Sequence, residues 1–151
     1  MGQNCPIFLF NSPKNGGIIM YIVSSESAFD AAHFLTNYEG KCKNIHGHRW
    51  RIVAEVKGEL NNGMLIDFGI LKKDLKDLCD YFDHSFIVEK NSLKDELLNM
   101  LKEQFLIREV SFRTTAENFS KYFFESLQKK GYDVVSVSVY ETPTNKAEYR
   151  I

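Results

Sequence analysis

The sequence predicts an α+β domain in which an antiparallel sheet carries helices on one face. Three observations carry this. Two segments near the start, Tyr21 to His33 and His48 to Lys57, alternate apolar and polar residues as strands do, and a third such segment runs from Asp133 to Thr142. Between the second and third lie stretches whose apolar residues recur at helical intervals. The resulting order of hairpin, helices and hairpin suits helices packed on one side of an antiparallel sheet. The other face of that sheet then needs a cover, and a partner subunit is the economical choice.

In the first strand Tyr21, Val23, Phe29, Ala31 and His33 share a face, with Ser25 and Ser27 between them. Asn37 to Asn44 is polar and contains glycine, so it reads as a loop. The second strand sends His48, Trp50, Ile52, Ala54 and Val56 one way, and Arg49, Arg51, Glu55 and Lys57 the other. Asn61-Asn62-Gly63 signals a turn. Asp67 is suited to cap a helix running to about Phe82, with Leu71, Leu75, Leu78 and Phe82 on its apolar face.

A shorter helix is predicted over Ser92 to Phe105, with Ser92 and Asp95 at capping-box spacing and Leu93, Leu97, Leu101 and Phe105 as its stripe. A further helix opens at Thr114 or Thr115. It carries Phe119, Tyr122, Phe123 and Leu127, and Gly131 stands just past its end. Val135, Val137, Val139 and Glu141 share a face of the next strand. Pro143-Thr144-Asn145 turns the chain into a last short strand at Ala147 to Ile151.

The chain has 151 residues and a net charge of −1, which suits one domain and gives no field for nucleic acid or a membrane surface. No apolar run is long enough to span a bilayer. Cysteines at 5, 42 and 79 make an odd, sparse set, not a disulfide framework, so a reducing, cytoplasmic setting is expected. Cys79 lies near the apolar side of a helix and reads as core packing. Residues 1–19, Cys5 among them, show no clear period. They are expected to be an extension outside the fold, and residues 20–151 the single domain.

The chemistry concentrates in four histidines. In His46-Gly47-His48 the two imidazoles project to the same side of a strand, with little bulk at Gly47 between them. His33 ends the preceding strand, so hairpin pairing brings three rings together. Three neutral imidazoles suit catalytic Zn²⁺ with a fourth position open. A rival set, Cys42 with His46 and His48, would make a more closed site. Ordinary hydrogen-bonded histidines are the bland alternative. For Asp83-His84, a histidine at a helix C-terminus is the simplest account. Glu141 either ends its strand in water or, continuing an apolar face, offers a carboxylate to paired N–H donors.

The ordered segments Phe29-Asp30-Ala31-Ala32-His33, Lys41-Cys42-Lys43-Asn44-Ile45-His46-Gly47-His48, Ile66-Asp67-Phe68, Asp83-His84, Thr114-Thr115-Ala116-Glu117-Asn118 and Glu141-Thr142 resemble the 6-pyruvoyltetrahydropterin synthase / 6-carboxytetrahydropterin synthase family. The resemblance covers Tyr21 to the C-terminus. It implies a tunnelling fold: a four-stranded antiparallel sheet from two hairpins, with sheets of several subunits closing into a barrel. It further implies a homohexamer, a dimer of trimers with sites between subunits.

By the same resemblance His33, His46 and His48 match the zinc triad and Cys42 the catalytic cysteine. Asp83 and His84 match its acid/base partners, and Glu141 the anchor of the pterin ring. Thr115 and Glu117 match residues lining the pterin pocket. The implied substrate is 7,8-dihydroneopterin triphosphate.

Three residues between Cys42 and His46 look like the carboxy-forming enzymes of queuosine synthesis, where the pyruvoyl-forming enzymes of biopterin synthesis typically have a longer gap. A non-catalytic zinc- or pterin-binding protein and a generic zinc hydratase or hydrolase are the competing classes. The chain departs from the family at Thr114, where bacterial members often have proline. It also departs at Ser85-Phe86-Ile87, and in a longer stretch from Glu89 to Ser111.

Overall fold

A computed structural model describes residues 20–151; the expected extension at 1–19 lies outside the described residues. The chain runs β1 (Tyr21–His33), a 3₁₀ turn (Lys41–Lys43), β2 (His46–Gly58), α1 (Phe68–Asp80), β3 (Ser85–Glu89), α2 (Asp95–Lys102), β4 (Ile107–Val110), α3 (Ala116–Lys129), β5 (Val134–Tyr140) and β6 (Lys146–Arg150). The expected four antiparallel strands are present, but two short ones extend the sheet to six, in the order β4-β3-β1-β2-β5-β6. β3 runs parallel to β1 and β4 parallel to β3, so the sheet is mixed. The sequence pattern, which leads from the helix ending near Phe82 straight to the helix over Ser92 to Phe105, missed both.

The hairpin register sets the site. Phe29 pairs with Trp50, Ala31 with His48, and His33 with His46. The same face therefore carries Phe29, Ala31 and His33 from β1 and His46, His48, Trp50, Ile52, Ala54 and Val56 from β2. α1 and α3 pack on it, burying Leu71, Leu75 and Cys79 from one helix and Phe119, Phe123, Phe124 and Leu127 from the other. Phe82, past the end of α1, fills the centre, its ring centroid 5.4 Å from that of Phe29. Full burial of such side chains contributes about 1.5–3 kcal/mol each. Burial pushes the Cys79 thiol up to about 12, as suits a core cysteine.

The helix starts follow their caps. Asp67 accepts from Gly69 N at 2.7 Å to open α1. Thr115, not Thr114, caps α3, accepting from Asn118 N. α2 is shorter than its apolar pattern predicts. Lys94 stands at its N-cap, Ser92 donates to Glu89 O instead of capping, and only Leu98 is buried while Leu97 and Phe105 are exposed. In β5 a register shift opposite Glu55 and Val56 turns Val134 inward in place of Val135.

The opposite face of the sheet is polar. Arg49 pairs with Asp30 and Arg51 with Glu26, Ser136 donates to Glu55, and Ser138 to Glu148. Among the described residues β1 pairs with β3 only at Ala31 and Ala32, so most of its outer edge carries no neighbouring strand, and β4 and β6 end the sheet.

Candidate active site

Two strand ends and one helix start converge at the end of the inner face. His33 is fully buried. Its Nδ1 lies 2.8 Å from Thr114 O and 3.2 Å from Thr114 Oγ1. That hydroxyl donates to Phe34 O, so both oxygens accept from the ring. Nδ1 therefore carries the hydrogen and Nε2 keeps its lone pair. His46 Nδ1 lies 2.8 Å from Asn44 O, which fixes the same tautomer. Burial lowers His48's affinity for a proton below the usual histidine range, with Glu141 opposing, so its ring is neutral at pH 7.

The consequence is three buried Nε2 atoms without a hydrogen-bond partner among the described residues, on His33, His46 and His48. Ring centroids lie 4.5 Å apart for His33–His46, 4.9 Å for His46–His48 and 5.4 Å for His33–His48. Glu141, just past the end of β5, sets Oε1 3.4 Å from His33 Nε2 and 3.2 Å from His48 Nε2. One ligand atom from each of these four residues lies within 4.8 Å of every other. Orphaned buried nitrogens are costly unless something binds them. A donor set of three imidazoles and a carboxylate suits a divalent transition metal such as zinc.

Trp50 supports this cluster from below, its ring edge-on to His33 and His48 at 5.0 and 5.6 Å. A Cβ at Gly47 would meet Ala31 O at an ordinary 3.5 Å, so space between the ligands does not require the glycine.

The other predicted residues divide among three clefts. Thr115, Glu117 and Glu141 line one of about 360 Å³, beside the start of α3. His84 and His48 line a second, open one on the polar side of the hairpin. Glu141 and His48 also line a third with Arg49 and Arg51.

His84 Nδ1 stands 2.9 Å from Asp83 Oδ2, and Asp83 Oδ1 accepts from Asp30 N at 2.8 Å. The Asp30 amide first, and His84 after it, hold the Asp83 carboxyl below the usual carboxylate range. His84 has φ of 53°, in the left-handed region that costs a non-glycine residue energy, while its own amide donates to Asp30 O. Cys42 sits on the 3₁₀ turn, half-buried and without a disulfide among the described residues. It lines none of the three clefts and does not join the histidine group, which removes the rival Cys42-His46-His48 set. Sequence reasoning missed the roles of Thr114 and Asn44, whose backbone oxygens fix the imidazoles. Only the departure from proline at Thr114 signalled anything there.

An α+β fold whose histidine cluster buries its ligating nitrogens and opens to a cleft defines a class of protein with a metal-competent small-molecule site. The comparisons with known proteins give it a family. The sequence profile described as 6-pyruvoyl tetrahydropterin synthase matches residues 22–151. The chain is 34% identical over 140 residues to the 6-carboxy-5,6,7,8-tetrahydropterin synthase of Haemophilus influenzae, covering 87% of this chain and 99% of that one. It is also 34% identical over 123 residues to the Aquifex aeolicus enzyme of the same name, covering 73% and 76%. The fold matches the solved 6-pyruvoyl tetrahydropterin synthase of Plasmodium falciparum with a TM-score of 0.67 at 24% identity, over 87% of this chain and 99% of that one. The chain belongs to the 6-pyruvoyl tetrahydropterin synthase family and is an enzyme of the pterin-lyase class.

Proposed function

We propose that the chain is a zinc-dependent 6-carboxy-5,6,7,8-tetrahydropterin synthase. The reaction takes 7,8-dihydroneopterin triphosphate and water to 6-carboxy-5,6,7,8-tetrahydropterin, acetaldehyde and triphosphate, and would serve queuosine-type 7-deazapurine synthesis. The observation that carries the reading is the set of three orphaned Nε2 atoms beside a carboxylate that also lines a ligand-sized cleft. Relatives at 34% identity bear the carboxy-forming name, and the short Cys42–His46 spacing agrees with it.

His33, His46 and His48 would hold zinc, which supplies Lewis acidity toward the hydroxyl oxygens of the substrate side chain. Glu141 accepts the paired N–H donors of the pterin edge, with Thr115 and Glu117 lining the same cleft. Cys42 moves a proton at the carbon next to the dihydropterin ring. His84, oriented by Asp83, is the second acid/base, its Nε2 facing solvent space while Nδ1 is tied to the carboxylate.

Cys42, the Asp83–His84 pair and the Glu141 cleft do not share one pocket within the chain. Sites formed between subunits, in a dimer of trimers, would bring them together. The open edges of β1 and β6 offer the pairing surfaces for barrel closure. Residues 20–151 form the one domain of this reading, and the free Cys42 and Cys79 suit a cytoplasmic setting. No helix among the described residues is long and apolar enough to cross a membrane.

Incubation of zinc-loaded protein with 7,8-dihydroneopterin triphosphate, followed by mass spectrometry, tests the proposal. 6-Carboxytetrahydropterin with acetaldehyde is the expected product. 6-Pyruvoyltetrahydropterin would move the chain to the pyruvoyl-forming activity, and unconsumed substrate would favour a non-catalytic binder.

A further inference from the structure

The cleft that holds Glu141 contains a cation that the fold leaves unused. Among the described residues every other arginine has a partner for its side chain. Arg49 binds Asp30, and Arg51 binds Glu26 and stacks on Tyr140. Arg108 donates to Tyr81 O and stacks on Tyr81, and Arg150 lies against Glu148. Arg113 has no ion pair, no side-chain hydrogen bond and no aromatic partner among these residues, and its Nε is buried without a partner. Its backbone is fixed nonetheless. Arg113 O accepts from Thr115 N at 2.8 Å and from Asn118 Nδ2 at 3.0 Å, so the start of α3 pins the residue at the rim of the cleft. Lys146, the other cation lining that cleft, is already tied to Glu148 at 2.8 Å.

A guanidinium with a desolvated, unsatisfied N–H is expensive to fold around and gains most when a ligand supplies an acceptor. What that acceptor is follows from Glu141. A fused 2-amino-4-oxo heterocycle presents a run of donor, donor and acceptor along one edge: the 2-amino group, N3–H and the C4 oxygen. A carboxylate satisfies the two donors and can do nothing for the adjacent oxygen. A guanidinium in the same cleft can.

We propose that Arg113 is a ligand-binding residue that donates to the ring oxygen of a 2-amino-4-oxo heterocycle whose N–H donors are held by Glu141. The inference rests on the pterin reading of the Glu141 cleft and adds to it the group that reads the acceptor end of that edge. It does not depend on which product is formed. It assigns Arg113 to the ring and not to the triphosphate tail.

Binding of neopterin, which has the ring but no phosphate, is the test, followed by its fluorescence in the zinc-loaded full chain. Inorganic tripolyphosphate is titrated separately as the tail. Arg113→Gln is expected to weaken neopterin on the order of tenfold to a hundredfold, the size of a charge-assisted hydrogen bond lost from a desolvated site. Tripolyphosphate affinity and zinc content should stay unchanged, and the melting temperature should not fall, since the variant loses a buried N–H without a partner. Arg113→Lys keeps the charge but loses the planar fork, and is expected to fall between wild type and Arg113→Gln. It also serves if the glutamine variant folds poorly.

Neopterin binding as tight as wild type in either variant overturns the proposal. A loss seen with tripolyphosphate and not with neopterin overturns it too, because Arg113 would then bind the tail. If neopterin binding survives Arg113→Gln but is lost in Glu141→Gln, this inference fails while the pterin reading stands. If wild type binds no neopterin, the pterin reading fails and takes this one with it.

Discussion

Replacing Thr114 by valine tests how the protein holds its histidines ready for a metal. The substitution keeps the shape of a fully buried side chain and removes one oxygen. That oxygen does two jobs: it accepts from His33 Nδ1 at 3.2 Å and donates to Phe34 O at 2.9 Å. Losing the donor leaves a carbonyl short of a partner, which costs about 1–3 kcal/mol when the group is buried. For His33 the loss is partial, since Thr114 O at 2.8 Å still accepts from the same nitrogen. Outer-shell partners of ligating histidines are typically worth about tenfold to a hundredfold in metal affinity, so a half-removed partner should cost about tenfold. Competition with a calibrated chelator gives the zinc dissociation constant, and thermal melting of the metal-free protein gives the stability term separately. Zinc affinity equal to wild type in Thr114→Val, with stability reduced, would show that the hydroxyl serves packing alone. The account of His33 orientation would then be wrong.

Four further outcomes are expected. Cys42→Ala should lower turnover about 10²–10⁴-fold, the usual worth of a positioned acid/base, while metal analysis finds zinc retained; loss of zinc would make the cysteine a ligand. Glu141→Gln should keep zinc and lose pterin binding, whereas zinc released into a chromogenic chelator at wild-type pterin affinity would make the carboxylate the fourth ligand. Trp50 is the single tryptophan, edge-on to His33 and His48, so Co²⁺ should quench its emission with a stoichiometry of one per chain, and a linear, unsaturable response would refute the site.

The fourth concerns stability against pH. Lys130 first, then Tyr132, hold the Asp74 carboxyl below its ordinary range, and burial first, then Asp74, push Tyr132 up to about 12. The Asp74 contribution is therefore present above the ordinary carboxylate range and lost as pH falls below about 4, and the Tyr132 contribution is lost between pH about 10 and 12. Asp74→Asn should flatten the acid limb of a melting-temperature profile, weaken the alkaline limb only in part because burial of Tyr132 remains, and cost about 1 kcal/mol near neutrality, discounted for partial exposure.

The histidine cluster was legible in the sequence because two simple periods generate it. His46 and His48 share a face by strand alternation, and hairpin pairing sets His33 opposite His46. The cores of α1 and α3 were legible for the same reason, since Leu71, Leu75, Phe119, Phe123 and Leu127 recur at helical spacing and are all buried. β3 and β4 were not. At five and four residues they are too short to show a period, and their parallel pairing joins segments far apart in the chain. The α2 stripe misled because Ser92, expected as its cap, bonds backward to Glu89 O and leaves the helix to start at Asp95, turned so that Leu98 faces in. The bulge in β5 could not be seen either, since both residues that could face inward at the shift, Val134 and Val135, are valine.

The segment Arg113-Thr114-Thr115 shows why the site reads only half from sequence. Thr115 has extended backbone angles, φ −105° and ψ 158°, and in extended chain alternate side chains point to opposite sides. Arg113 and Thr115 accordingly line the cleft with Glu141, while Thr114 between them turns inward onto His33. The same three residues thus open α3, fix the tautomer of a buried imidazole and place a free guanidinium at the cleft rim. As a helix start the segment is obvious, because threonine before an amphipathic run is a common cap. Its bond to His33 spans 81 positions and uses a backbone carbonyl, a group every residue has, so no residue type announces it. Proline at 114 could offer that carbonyl but not the hydroxyl. The departure from the family pattern at this position therefore falls on an atom that touches the histidine cluster, not on a neutral loop.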